Sequence, residues 1–389
     1  MGNGIKVGVV GSAVVAPRNP ERVSLEEALH QVTHAALRDA GIAIEDIDGI
    51  VVAGNDQLDG RAITVMMASG SVGGVSRDIL ATPSSAEHAF VLGALRVRSG
   101  MYRTQLVVSW SPLETQDIAQ VQRLSADPYF HRALPLDEMS AHALQAVALE
   151  SKLPGLRKTA VTITQNNRLH GTRAYPELSP APREAVLIEG SRMLRYPLTE
   201  GMVCEPAFAV TAMVLASDDW VDEHPGRDCA WVHGMGWATE AAWLGDRDLS
   251  ALTSLQSAAA QAYQEAGIHS PQGAFDLAEV ADATGYQQLL ALEGLGLCER
   301  GQWVQAVERG DFSVDGPLPV NLSGGALSFN PLFCSGLLRI QEAANQVRGR
   351  AGVHQKRAVR NAVAHGASGP AMQYNTVVVF GHEPRKSTQ

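Results

Sequence analysis

No cysteine stands before residue 204 in this 389-residue chain. The four it has, Cys204, Cys229, Cys298 and Cys334, lie far apart and form no C-x-x-C pair. That argues against a disulfide framework and against a thiolate zinc site, so no metal is expected. Free cysteines of this kind usually end as small buried apolar residues. Charge is scarce too. Asp, Glu, Lys and Arg make up 19%, below the ~25% of ordinary soluble domains, which points to extensive internal and subunit interfaces. Basic excess is missing: the formal net charge is −10. A nucleic-acid partner is therefore not expected, because phosphates demand a cationic surface. No apolar run is long enough to span a bilayer. Residues 1–15 hold one lysine and a short apolar run. They lack the central stretch of a signal peptide and read better as a first buried strand. Lys6 stands where a myristoylation pattern wants Ser or Thr. The expectation is a cytoplasmic protein.

What is present is core-building material: 45% of residues are hydrophobic, and the length allows two or three domain-sized units. The pattern predicts a strand over 6–15, then a helix over 24–40. Ser24 and Glu27 make a capping box for that helix, and Gly41 stops it. A second buried strand covers 47–54, a helix 85–98 ends before Gly100, and a strand covers 105–110. This alternation predicts a mostly parallel sheet covered by helices. From Ser111 to about Thr199 the chain turns polar, loop-rich and helical. Sheet character returns over 209–216 and 229–237.

The pattern repeats. Ala36-Leu37-Arg38-Asp39-Ala40-Gly41-Ile42 resembles Ala262-Tyr263-Gln264-Glu265-Ala266-Gly267-Ile268. Each is followed by an acidic-apolar strand, at 46–50 and at 276–280. The helix ending Arg98-Ser99-Gly100 has a counterpart ending Val347-Arg348-Gly349. A repeat spaced by over two hundred residues is too long for a solenoid and fits two similar α/β halves.

The residues themselves then carry a family resemblance. Asp276-Leu277-Ala278-Glu279-Val280-Ala281-Asp282-Ala283-Thr284 resembles the "E-V-H-D-x-F" strand-loop of sterol-carrier-protein-type and archaeal thiolases. Ala291 to Cys298 resembles their "Y-E-x-L-G-L/F-C", and Asn321-Leu322-Ser323-Gly324-Gly325 their "N-x-S/D-G-G" loop. Phe329-Asn330-Pro331-Leu332-Phe333-Cys334-Ser335-Gly336 sits where they have "G-H-P-L-G-A-T/S-G". His365-Gly366-Ala367-Ser368-Gly369 is similar to their closing "H-N-x-G-G" loop. Ser191-Arg192-Met193 with Pro197-Leu198 resembles "S-R-M-I-x-x-P-L" of their loop domain. The resemblance runs in order over nearly the whole chain. It implies the thiolase fold: an α/β protein with duplicated βαβαβ halves in five layers, α-β-α-β-α, with an inserted loop domain. The N-terminal half would be 1–110 with 200–250, the loop domain 111–199 and the C-terminal half 251–389.

The same resemblance exposes what is missing. A thiolase needs a thiolate nucleophile, a base and an oxyanion hole. The family places its cysteine at the N-terminus of the helix that ends before Gly100, where the helix end helps hold the thiolate. Counting back from Gly100 puts that slot at Pro83 or Ser84. Ser84 is a candidate nucleophile. The competing reading is a Ser84–Glu87 capping box worth ~1 kcal/mol, with His88 as a structural histidine one turn in. The first family histidine falls on Ala281, the second on Asn330, which cannot take a proton near pH 7. Phe329 and Phe333 replace flanking glycines and should fill part of the acyl space.

Asp282, Asn330, the Asn321 loop with Gly324 and Gly325, Tyr286 and His365 remain. His365 is either a surviving base or a turn-packing histidine. Tyr286 either stands in for the tyrosines of retro-aldol relatives or packs a helix. Arg192 and Arg195 either meet a phosphate or form a solvated face.

Three readings follow. The first is a non-thiolytic enzyme of acyl-CoA and lipid metabolism, an acyltransferase or aldolase-like C–C bond enzyme working with a small OB-fold, zinc-ribbon partner. The second is a catalytically silent subunit scaffolding an active thiolase paralogue; a homodimer, or a heterodimer with a thiolase-like chain, is expected in either case. The third is a binding protein for lipid or acyl groups. No cofactor is expected beyond a coenzyme A thioester as substrate.

Overall fold

The computed structural model describes residues 4–17, 19–112, 117–124, 127–130, 132–134 and 136–385. Met1 to Asn3, where a lipidation pattern would start, lie outside the described residues.

The first strand, β1 (Val7–Val15), is followed by α1 (Leu25–Ala40). Ser24 caps α1 as its sequence foretells: its hydroxyl accepts the Glu27 amide at 3.1 Å, and Gly41 closes the helix in the left-handed conformation at φ 66°. Strands β2 (Gly49–Ala53), β3 (Asp78–Thr82) and β4 (Thr104–Trp110) follow, with α2 (Ala86–Arg98) between the last two. The excursion from 111 to 209 contains α3 (Glu138–Lys152) and the 19-residue α4 (Leu156–Ala174). The chain then returns as β5 (Val210–Ser217) and β6 (Ala230–Thr239). Next come α5 (Thr253–Ala266), β7 (Leu277–Val280), α6 (Gly285–Gly294) and α7 (Ser335–Arg348). Strands β8 (Asn361–Ser368) and β9 (Tyr374–Gly381) complete the fold.

The strands join in the order β7-β8-β9-β6-β1-β5-β4-β2-β3. Outward from the β1–β6 seam the two sides read the same way. One side runs β1-β5-β4-β2-β3. The other runs β6-β9-β8-β7, and an isolated bridge from Ala278 to Val320 marks the place of a fifth strand. The seam is short, pairing Gly8 with Trp231 and Val9 with Ala230. This is the duplication that the helix repeat announces. Even the helix contacts are copied. A Cβ at Gly11 would strike Ala36 and Ala40 of α1, and one at Gly234 would strike Ala262 of α5. In both halves a glycine lets the outer helix sit directly on the first strand.

One expectation needs correction. The sheet is mixed, not mostly parallel. β2–β3, β2–β4 and β7–β8 are parallel, whereas β1–β5, β4–β5, β8–β9, β9–β6 and β1–β6 are antiparallel. The long excursion brings β5 back in the reverse sense, and the turn after Ser368 makes β8 and β9 a hairpin; neither connection is a βαβ crossover. β3 was also not foreseen. It is an edge strand with mostly solvent-exposed residues, so it lacks the apolar run that marks β2 and β4.

Three apolar clusters set the layers. One joins α1 to the outer face of the β1–β5 side. The middle one packs α2 and α7 between the two sheet halves. The third packs α5, α6, α3 and α4 on the other outer face. Helix, sheet, paired helices, sheet, helix is the expected five-layered arrangement. It leaves α2 and α7 side by side at the centre. No helix among the described residues is long and apolar enough to cross a membrane.

Candidate active site at the paired central helices

The start of α2 departs from the capping-box expectation. Ser85, not Ser84, is the N-cap, and its hydroxyl makes no capping bond. Ser84 stands one residue earlier, exposed, with its Oγ 2.8 Å from His88 Nδ1 and 3.0 Å from Thr82 Oγ1. Glu87, the other half of the expected box, turns inward instead. Residues four apart meet on a helix face, and here that geometry extends to Ser84 just ahead of the first turn. The His88 ring lies edge-on to Tyr374, with centroids 5.8 Å apart. Burial holds its pKa below the usual histidine value, so the ring is neutral at pH 7.

Glu87 is sealed between α2, α7 and β8. A methyl at Gly336 would overlap its carboxyl group, and one at Gly366 would crowd its Cβ. The hydroxyls of Ser85 and Ser368 are its polar neighbours. No hydrogen bond of normal geometry reaches either carboxyl oxygen among the described residues. Burial raises its pKa and favours the neutral acid.

At the start of α7, Cys334 is the N-cap. Its sulfur is buried 3.5 Å from the Ser111 hydroxyl and 3.6 Å from the Ala209 carbonyl. Just before it, Phe333 holds φ at +70°, a left-handed conformation that costs a side chain roughly 1–2 kcal/mol. Glycine is the residue at home there, as the family pattern has it. Phe333 is part-buried. Phe329 does not line an open pocket: it is fully buried and tilts against Tyr175 at 4.9 Å between ring centroids. The Asn330 side chain donates to the Cys204 carbonyl at 3.4 Å. That contact continues the short pairing of Asn330–Pro331 with Pro206–Ala207.

The remaining expected residues are held in the interior. His365 lies within β8, fully buried, with Nε2 2.9 Å from Asn375 Oδ1. Burial lowers its pKa to about 4, so the ring is neutral at pH 7, and its Nδ1 has no hydrogen-bond partner among the described residues. Tyr286 is fully buried and donates to Glu150 at 2.8 Å, a clasp between α6 and α3. Asn321 is a hydrogen-bonding hub. Its side chain accepts the Val280 amide at 2.7 Å, and its carbonyl faces His170 Nδ1 at 3.0 Å. Gly324 and Gly325, both at positive φ, press against Gly171 of α4 and against Asp282. The loop thus joins the excursion to the C-terminal half. Asp282 accepts from Asn167 and from the Ala326 amide, both at 2.6 Å. Burial lifts its pKa to about 7. Arg192 and Arg195 stay exposed and pair with Glu200 and Asp137 at 3.5 and 3.6 Å.

Each of the four thiols is raised by burial, Cys204 and Cys298 to about 11, Cys229 and Cys334 to about 12. None is a thiolate at neutral pH. The accessible reactive groups at the helix pair are therefore Ser84 and His88. The spacing of the two residues signals their meeting, but the sequence offers a cap as an equally good reason for the serine. Glu87 gives no sequence signal at all, since a glutamate in a first turn ordinarily faces water.

Residues 236–382 match the thiolase C-terminal domain-like family model. The acetyl-CoA acetyltransferase of Methanothermobacter thermautotrophicus is 30% identical over 185 residues, 47% of each chain. Human sterol carrier protein 2 is 36% identical over 111 residues, 28% of this chain and 20% of that one. The matched stretches span about half or less of these relatives' own length. Among solved structures, the Ltp2-ChsH2(DUF35) aldolase superposes with a TM-score of 0.80 at 17% identity, covering 98% of this chain and 99% of that one. The fold is that of the thiolases. Over residues 236–382 the chain carries a thiolase C-terminal domain-like region, and it is similar in sequence to thiolases and to sterol carrier protein 2.

Proposed function

We propose that this protein binds acyl thioesters or related acyl compounds at the α2–α7 helix pair and acts on them without a cysteine thiolate. One observation carries the reading. The helix start that should hold a nucleophilic cysteine holds Pro83, Ser84 and Ser85, while three of the four thiols are buried, Cys204 is part-buried, and desolvation raises each well above neutral. The two family histidine slots are Ala281 and Asn330. The work is a non-thiolytic acyl transfer or an aldolase-like cleavage of a C–C bond. The full-length likeness to a fold neighbour described as an aldolase supports the second form.

The protein acts in the cytoplasm, uses no cofactor beyond a coenzyme A thioester as substrate, and works in a complex. Its partner is a second copy, a thiolase-like chain or a small OB-fold, zinc-ribbon protein. The name of the fold neighbour, which joins two proteins, supports a complex. The exposed edge of β3 with Leu80, and the exposed apolar side chains Ile63, Met66 and Met67, supply surfaces for one. That same edge favours the alternative of a silent subunit retained for its interface.

Equilibrium dialysis of the purified chain against acetyl-CoA tests the reading. Saturable binding supports it. Absence of binding, together with co-purification of an active thiolase-like chain, establishes the silent subunit instead.

A further inference from the structure

We propose that Ser84 is a covalent nucleophile and that His88 is its general base, so that the chain carries its acyl group as a serine ester. The inference rests on the reading that the helix pair takes acyl thioesters. It goes beyond that reading by naming the atom that is acylated.

The hydrogen bonds around Ser84 admit an arrangement in which each proton is used once and His88 Nδ1 is the acceptor. Thr82 Oγ1 receives the Ser84 amide at 3.4 Å, so its own proton is free for Ser84 Oγ at 3.0 Å. The Ser84 proton then points to His88 Nδ1 at 2.8 Å. A serine hydroxyl is a poor nucleophile alone and an effective one when a base stands within hydrogen-bond reach. That distance is met before any substrate enters. Ser84 is exposed, whereas His88 is half-buried with its ring against Tyr374. The nucleophile faces solvent while the base is held by the fold.

The surroundings suit an acyl carbonyl. The N-cap Ser85 makes no capping bond to the first-turn amides of the 13-residue α2, and those amides directly follow Ser84 in the chain, as donors for an oxyanion would. The Ser85 hydroxyl at that same cap is fully buried and neighbours the Glu87 carboxyl instead of capping the helix amides.

The step balances without a further reagent. Ser84 Oγ attacks the thioester carbonyl carbon as its proton passes to His88 Nδ1. The tetrahedral oxyanion collapses, the C–S bond breaks, and the departing sulfur takes the proton from His88 as a thiol. The products are an acyl ester on Ser84 and free coenzyme A. Water or another nucleophile, deprotonated by the same imidazole, then cleaves the ester and restores the hydroxyl.

The full-length chain is treated in parallel with an alkyl fluorophosphonate and with acetyl-CoA, and the modified peptide is located by mass spectrometry. The expected result is a phosphonyl adduct and an acetyl ester, both on Ser84. Both are absent from Ser84→Ala and form at least about 10²-fold more slowly in His88→Gln. The unaltered protein is itself informative, so a variant that fails to fold does not decide the matter. Binding of acetyl-CoA with Ser84 inert to both reagents overturns this inference and leaves the proposed function standing. Phosphonylation of Ser84 without acetyl-CoA binding supports the nucleophile and overturns the thioester reading. Adducts elsewhere in the chain, with Ser84 unmodified, overturn the inference.

Discussion

The carboxylate of Glu279 on β7 and the guanidinium of Arg339 on α7 meet at 3.0 Å, both sealed from solvent. Ser323 joins them, donating its hydroxyl to Glu279 at 2.6 Å. The pair fixes the central helix to the C-terminal sheet and to the Asn321 loop. Removing one partner strands a buried charge, which typically costs about 3–5 kcal/mol. Arg339→Met is expected to lose that much in urea unfolding. Combining it with Glu279→Leu should recover a large part, because no unpaired charge is then left inside.

Asp282 and His365 make opposite contributions to stability against pH. Asp282 has a folded-state pKa raised to about 7, so the unfolded chain releases that proton first and stability falls as pH rises from about 4 to 7. His365 has a folded-state pKa lowered to about 4. The unfolded chain binds that proton first, and stability falls as pH drops from about 6.5 to 4. Each slope masks the other. Denaturant midpoints between pH 4 and 7 should rise with pH more steeply in Asp282→Asn than in the parent. In His365→Gln the trend should shift the opposite way relative to the parent, toward a fall with pH.

Glu87 and Gly336 are in such close contact that no methyl fits between them. Gly336→Ala is expected to cost about 1–3 kcal/mol by overpacking. A double-mutant cycle with Glu87→Ala should return a favourable coupling, since the second change vacates the space the new methyl needs. Additive losses in thermal unfolding would argue against this contact.

The two phenylalanines at former glycine slots should respond differently. Phe329 is fully buried against Tyr175, and Phe329→Ala should cost about 3–5 kcal/mol. Phe333 is part-buried and held at φ +70°. Phe333→Gly loses some packing but releases backbone strain of roughly 1–2 kcal/mol, so its midpoint should move far less.

The sequence read well wherever periodicity and caps carry the signal. Ser24, Gly41, Gly267 and Gly349 mark helix ends that the structure has, and the repeat of 36–42 in 262–268 marks the two halves. The exposed edge β3 was invisible because an edge strand need not be apolar. The parallel character was overestimated because strand direction is set by connections, not by the strand's own residues. At the site, sequence located the right helix and the missing cysteine. It could not separate a capping serine from one paired with a histidine, since Ser84 is three residues from Glu87 and four from His88. Nor could it show that His365, Tyr286 and the Asn321 loop are interior. Burial of a polar residue depends on partners such as Asn375, Glu150 and His170 that lie at unrelated places in the chain.

The central claim is that no thiolate works in this protein, and coenzyme A-dependent cleavage of acetoacetyl-CoA tests it most directly. The purified chain should show no thiolysis above the uncatalysed rate. Replacing all four cysteines by alanine or serine should leave acetyl-CoA binding unchanged. Robust thiolysis that disappears on replacing Cys204, the thiol beside Asn330, would contradict the account.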